Sequence, residues 1–133
     1  MPNEPRWLPL EAVLEINEAH VADSGEYHAL LSQAKLEGAL MRPQNIYHYN
    51  DEYNVVTLSV TLMFAIAEAH AFEQGNKRTG FTSGLAFLSD NGFNYVGPDT
   101  VEFATHFKQV VEGQKPYDWF QAKFVEFVVP VED

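Results

Sequence analysis

Apolar residues crowd the middle of the chain. From Val55 to Ala69 (VVTLSVTLMFAIAEA) nearly every side is apolar, which predicts a helix buried at the centre of a domain rather than one lying on its surface. Upstream, Leu10, Val13, Leu14 and Val21 recur at helical spacing and predict an amphipathic helix over Leu10–Ala22, opened after Pro9 and ended by Asp23-Ser24-Gly25. A second helix is expected from about Ala29 to Met41, stopping at Pro43 because the residue before a proline is pushed out of helical geometry. Downstream, Phe81, Leu85 and Leu88 mark a helix that begins near Asn76 and stops at Asn91-Gly92. Asp99, with Glu102 three residues on, reads as the cap of a helix with Phe103, Phe107, Val110 and Val111 on its buried face and Gly113 at its end. Pro116 starts a last helix that carries Trp119, Phe120, Phe124 and Phe127, ahead of an acidic tail from Val128 to Asp133.

Two stretches lack periodicity. Residues 1–9, with Pro2, Pro5 and Pro9, form an irregular lead-in. Pro43 to Tyr53 mixes Ile46, Tyr47, Tyr49 and Tyr53 with Asn and Asp; it suits a short flap or, equally well, a plain connection with its aromatics tucked inward. The pattern therefore predicts one all-α domain over residues 1–133, a compact bundle of about six helices with a short flap before the central one.

Composition narrows the setting. With 133 residues, 46% hydrophobic and 14% aromatic, there is material for one core and not for two ordinary domains. A formal charge of -11 argues against a nucleic-acid surface, which needs cations clustered along a face. Cysteine is absent, no signal-peptide pattern opens the chain, and the longest apolar run is broken by Glu68 short of a membrane span, so the cytoplasm is the expected compartment.

Against that acidic background, His70-Ala71-Phe72-Glu73-Gln74-Gly75-Asn76-Lys77-Arg78 stands out as the tight connection between two core helices. A helix starting near Asn76 leaves the N–H groups of Gly75 to Arg78 unpaired, and the partial positive charge there favours an anion. Gly75 lets the backbone come close, while Lys77 and Arg78, the one adjacent pair among eight Lys plus Arg, add full charges suited to phosphate. A neutral His70 could take the proton of an attacking hydroxyl. Phe72 would anchor the loop in the core. Base, anchor, anion cradle and double cation together suit phosphoryl or nucleotidyl transfer. His20 and His106 read as structural or packing residues, His48 belongs to the unperiodic stretch, and Thr79 and Thr82 fit helix packing better than phosphate contact.

The run HAFEQGNKR resembles the signature of Fic-domain proteins, and Lys77 in place of the usual glycine is similar to the Doc (death on curing) branch; the segment Gly25–Pro43 also resembles what precedes the motif in Doc-type toxins. The resemblance implies an all-helical fold with His70 as general base, Asn76 as a loop and phosphate ligand, and Arg78 as a phosphate clamp, beside the Gly75 and Lys77 that the residues themselves place at the anion site. It implies ATP and Mg2+ as cofactors and a flap that docks the target segment by strand addition. Fic enzymes transfer AMP. Doc-type toxins resemble kinases that pass the terminal phosphate of ATP to elongation factor Tu and stop translation, restrained by a small antitoxin, Phd-like or other. Lys77 would reshape the cradle, which favours the kinase reading over AMP transfer.

One position departs from the family pattern. Gln74 stands where the family has the acid that holds Mg2+, and a neutral amide oxygen is a poorer ligand for a hard dication. Glu73 is adjacent, with its side chain expected to point elsewhere. The alternatives are metal held by ATP phosphates and water, metal recruited by Glu73, or a catalytically weakened binding module. No internal Ser/Thr-x-x-x-Glu-Gly/Asn inhibitory motif is present, so a partner chain is the expected restraint.

Overall fold

The computed structural model describes residues 3–97 and 100–131. Within them lie six helices and two short strands: α1 (Leu10–Ser24), α2 (Gln33–Tyr49), α3 (Val55–Ala69), α4 (Asn76–Asp90), β1 (Phe93–Tyr95), α5 (Thr100–Val111), α6 (Tyr117–Val125) and β2 (Val128–Pro130). The fold is all-helical in substance, with one small antiparallel sheet in which Phe93, Asn94 and Tyr95 face Pro130, Val129 and Val128.

α3 is the axis, as its apolar sequence predicts. The Asn54 side chain caps it by accepting from the N–H groups of Val56 and Thr57. One side of α3, with Leu58, Leu62, Ala65 and Ile66, packs against Val13 of α1, Leu36, Ala39, Leu40 and Tyr47 of α2, and Phe72 and Phe87. The other side, with Val56, Val60, Met63, Phe64 and Ala67, meets Phe81, Phe103, Phe107, Phe120 and Phe124. Each of these large side chains, fully buried, gains roughly 1.5–3 kcal/mol from leaving water, so the helix is held from both sides. Its broadest contact is with α4. There Gly80 lets the backbones close in: a Cβ at that position would lie 2.5 Å from the carbonyl oxygen of Met63.

Proline does not stop α2. Pro43 lies inside the helix and is buried, because Leu36, Ala39, Leu40, Pro43 and Tyr47 continue a single inward stripe whose burial outweighs the lost backbone hydrogen bond. The expected flap over Pro43–Tyr53 is therefore mostly helix. A largely exposed, non-helical stretch lies earlier, over residues 25–32, and α2 starts at Gln33 rather than at about Ala29, with the Ser32 side chain before it accepting from the N–H of Lys35. Likewise, the tail expected from Val128 supplies β2 rather than hanging free. The expected cap at Asp99 falls outside the described residues. His106 meets Phe103 and Trp119 edge-on, a packing role. His48 sits 3.8 Å from Glu4. Among the described residues, no helix is long and apolar enough to cross a membrane.

Candidate active site

α3 ends at His70, which takes a left-handed conformation (φ 52) and turns the chain into the loop that leads to α4. The imidazole is exposed. Phe72 is buried as an anchor, and the side chain of Asn76 closes the loop on it: its carbonyl oxygen accepts from the N–H of Phe72 (3.1 Å), and its amide donates to the Phe72 carbonyl (2.8 Å). Gly75 follows at φ 76, a geometry glycine adopts without strain. No side chain caps α4 there among the described residues, so the first turn presents its N–H groups to whatever binds.

These residues border one open pocket of about 510 Å³, lined by Glu26, Ala67, His70, Glu73, Gln74, Gly75, Asn76, Lys77, Arg78 and Lys108. Every site residue named from the sequence except Phe72 borders it; Phe72 lies beneath. Two features depart from expectation. Glu73, expected to point elsewhere, borders the pocket beside Gln74. Lys108, on the exposed side of α5 and remote in sequence, adds a third cation, and Glu112 holds it near Lys77 at 4.0 and 3.8 Å. Nothing in the local sequence around Lys108 signals this, since only the packing of α5 on α4 brings it there.

Arg78 is already partnered. Glu26, from the stretch before α2, forms an ion pair with its guanidinium and also accepts from Ser24 Oγ at 2.5 Å. The Ser24 hydrogen bond first, and Arg78 second, hold the Glu26 carboxyl below the ordinary carboxylate range. Its charge therefore persists through mildly acidic pH, and a phosphate must displace it. Glu26→Gln is expected to tighten phosphate binding about two- to fivefold, the worth of a partly exposed ion pair; titration calorimetry with tripolyphosphate checks it.

The threonines of α4 are both engaged. Thr79 is buried against Asn17, and Thr82 Oγ1 lies 2.7 Å from His20 Nε2. Burial, then the nearby Arg78 charge, lower the pKa of His20 from 6.5. Unfolded chain thus binds a proton there more readily than folded chain, so this contribution to stability is complete above about pH 6.5 and fades as pH falls toward the lowered value. Urea midpoints measured from pH 7.5 to 5 should show that slope in the wild type and a flatter one in His20→Gln.

For a divalent ion the bordering donors are one carboxylate, Glu73, and one amide oxygen, Gln74, since Glu26 is held by Arg78. Among the described residues, no group of three His, Cys, Asp or Glu is gathered for a metal. This donor set fits Mg2+ arriving on a ligand's phosphates and keeping most of its water, the usual habit of that ion, and makes no cage of its own.

The model of the Fic/DOC family matches residues 7–88. The chain belongs to the Fic/DOC family. The matched span takes in α1 to α3 and nearly all of α4, including His70 to Arg78, and leaves Lys108 and Glu112 outside it. Among curated proteins, this Fic/DOC chain is similar to the protein kinase doc of Escherichia phage P1, 28% identical over 87 residues, which cover 65% of this chain and 69% of that protein.

Proposed function

We propose that this chain is a Doc-type toxin, a phosphotransferase that moves a phosphate from ATP to a hydroxyl of a translation factor, elongation factor Tu by resemblance, in the cytoplasm. The observation that carries the reading is that His70 and the uncapped start of α4 open on the same pocket, with Lys77, Arg78 and Lys108 around it. The likeness to a phage protein kinase supports phosphate rather than AMP as the group transferred.

In this mechanism the N–H groups at Gly75 to Arg78 and the three cations hold the nucleotide's phosphates, with Arg78 exchanging Glu26 for phosphate oxygen. Neutral His70 accepts the proton of the acceptor hydroxyl as its oxygen forms the bond to phosphorus. The bond from phosphorus to the bridging oxygen breaks, and ADP leaves with the electron pair. Glu73 and Gln74 would meet Mg2+ carried by ATP, which when bound would supply positive charge beside the transferring phosphate. Restraint falls to a small antitoxin, Phd-like or other. The exposed stretch before α2, with Tyr27 77% and Leu31 64% accessible, offers the antitoxin or the substrate apolar side chains to cover.

Induced expression in a bacterium tests this directly. Wild type should halt protein synthesis and His70→Ala should not, and intact-protein mass spectrometry of elongation factor Tu should show one added phosphate. An added adenylate would move the chain to the AMP transferases. No adduct from wild type, with one from Gln74→Asp, would mark a binding module whose metal ligand is lost.

A further inference from the structure

Asn17 lies outside the motif, yet its side chain is hydrogen-bonded to the loop. It is fully buried on α1, where Val13 and Val21 flank it four residues to either side on the inward stripe. Its Nδ2 lies 2.9 Å from the Gln74 carbonyl oxygen and 3.0 Å from Thr79 Oγ1, and its Oδ1 lies 2.8 Å from His28 Nδ1. The sense of this amide is fixed by its partners. A carbonyl only accepts, so Nδ2 faces Gln74; Oδ1 is left for His28, whose Nδ1 must therefore carry the proton.

The bond to Gln74 has a consequence one atom further on. The Gln74–Gly75 peptide is trans, so its C=O and N–H point opposite ways. With the carbonyl held by Asn17 of α1, the Gly75 N–H is turned away from Asn17, and Gly75 is one of the residues that border the pocket. Gly75 also makes room for the clamp, since a Cβ there would stand 3.2 Å from Asn17 Nδ2. A leucine at position 17 would continue the apolar stripe with no polar group to satisfy, whereas an amide there must find partners or cost stability.

We infer that Asn17 is a positioning residue, clamping the Gln74–Gly75 peptide so that the Gly75 N–H donates to a phosphate oxygen, and that His28 holds Asn17 in the required sense. The inference rests on the phosphate reading of the pocket and goes beyond the motif, because both residues precede it by more than one helix. It makes the irregular stretch carrying His28 part of the binding machinery. That stretch is also tied to the loop by backbone bonds from Glu73 N–H to Ala29 and from Leu31 N–H to Ala71.

The test is an amide-resolved NMR titration of the full chain with inorganic tripolyphosphate. In the wild type, the Gly75 amide proton should move downfield as ligand is added. Asn17→Leu and His28→Asp should weaken binding about tenfold, the loss of one hydrogen bond to a charged group, and shrink the Gly75 response. His28→Asn, whose amide places a donor where Nδ1 stood, should behave as wild type, which a merely structural role does not require. Should Asn17→Leu not fold, the two His28 variants and the wild-type titration still decide. A wild-type titration in which Lys77 and Arg78 respond but Gly75 does not would overturn the inference and leave the phosphate reading standing. So would Asn17→Leu or His28→Asp binding as tightly as wild type. Silence from every residue between His70 and Arg78 would remove the phosphate reading, and the inference with it.

Discussion

His70→Ala should lower phosphate transfer about 10²- to 10⁴-fold, the range in which a positioned general base acts, while ligand affinity stays close to that of the wild type. The separation follows from where the residue stands: His70 borders the pocket, and among the described residues none of the phosphate-binding groups is hydrogen-bonded to its side chain. Stability should move the other way in a companion variant. Because residue 70 sits at φ 52, a region L-residues enter at a cost, His70→Gly is expected to lose transfer equally and gain about 0.5–1 kcal/mol of folding stability. Single-turnover transfer and urea denaturation on the two variants measure both halves.

Gly80→Ala should cost about 1–3 kcal/mol, the ordinary range for overpacking, and should carry the site with it. The added methyl would stand 2.5 Å from the Met63 carbonyl oxygen and 3.1 Å from the Ala67 nitrogen, both backbone atoms that no rotamer change can move aside. α3 and α4 must then separate. His70 ends one of these helices and the anion cradle begins the other, so phosphate affinity should fall together with stability. Two other glycines set the scale. A methyl at Gly84 would stand 2.2 Å from Met63 Cγ and 2.5 Å from its Cε, and Met63 is fully buried with its Cγ held close to the backbone, so Gly84→Ala should also cost about 1–3 kcal/mol. Gly38, exposed within α2, has nothing within 4 Å, and Gly38→Ala should stabilise by roughly 0.5–1 kcal/mol. Urea unfolding of the three variants gives the order.

The parts of this molecule governed by local chemistry were legible in the sequence. α3 spans the residues its apolar run marks out, because a helix packed on both sides needs apolar residues all round it. α4 starts at Asn76 where the glycine and the cations suggest it should, and His70, Gly75, Lys77 and Arg78 meet at one pocket. What depends on long-range packing was not. Pro43 reads as a stop, and only the inward stripe from Leu36 to Tyr47 shows why the helix continues. β1 and β2 are too short to show a period, and they exist because Phe93–Tyr95 and Val128–Pro130 find one another across two helices. Asn17 reads as one more polar residue on an amphipathic helix. The available signal was its place midway between Val13 and Val21, on the face expected to be buried, where an amide calls for a partner. Lys108 left no signal at all, because its role comes from how α5 packs on α4.

The chemistry assigned to the pocket is tested most directly by transfer from ATP labelled on either the γ- or the α-phosphate, in a bacterial translation extract with Mg2+. Label should pass to one protein from the γ-position alone, at a rate that His70→Ala reduces to near background. Transfer from the α-position would contradict phosphate transfer, and γ-label that persists undiminished in His70→Ala would contradict the role given to His70.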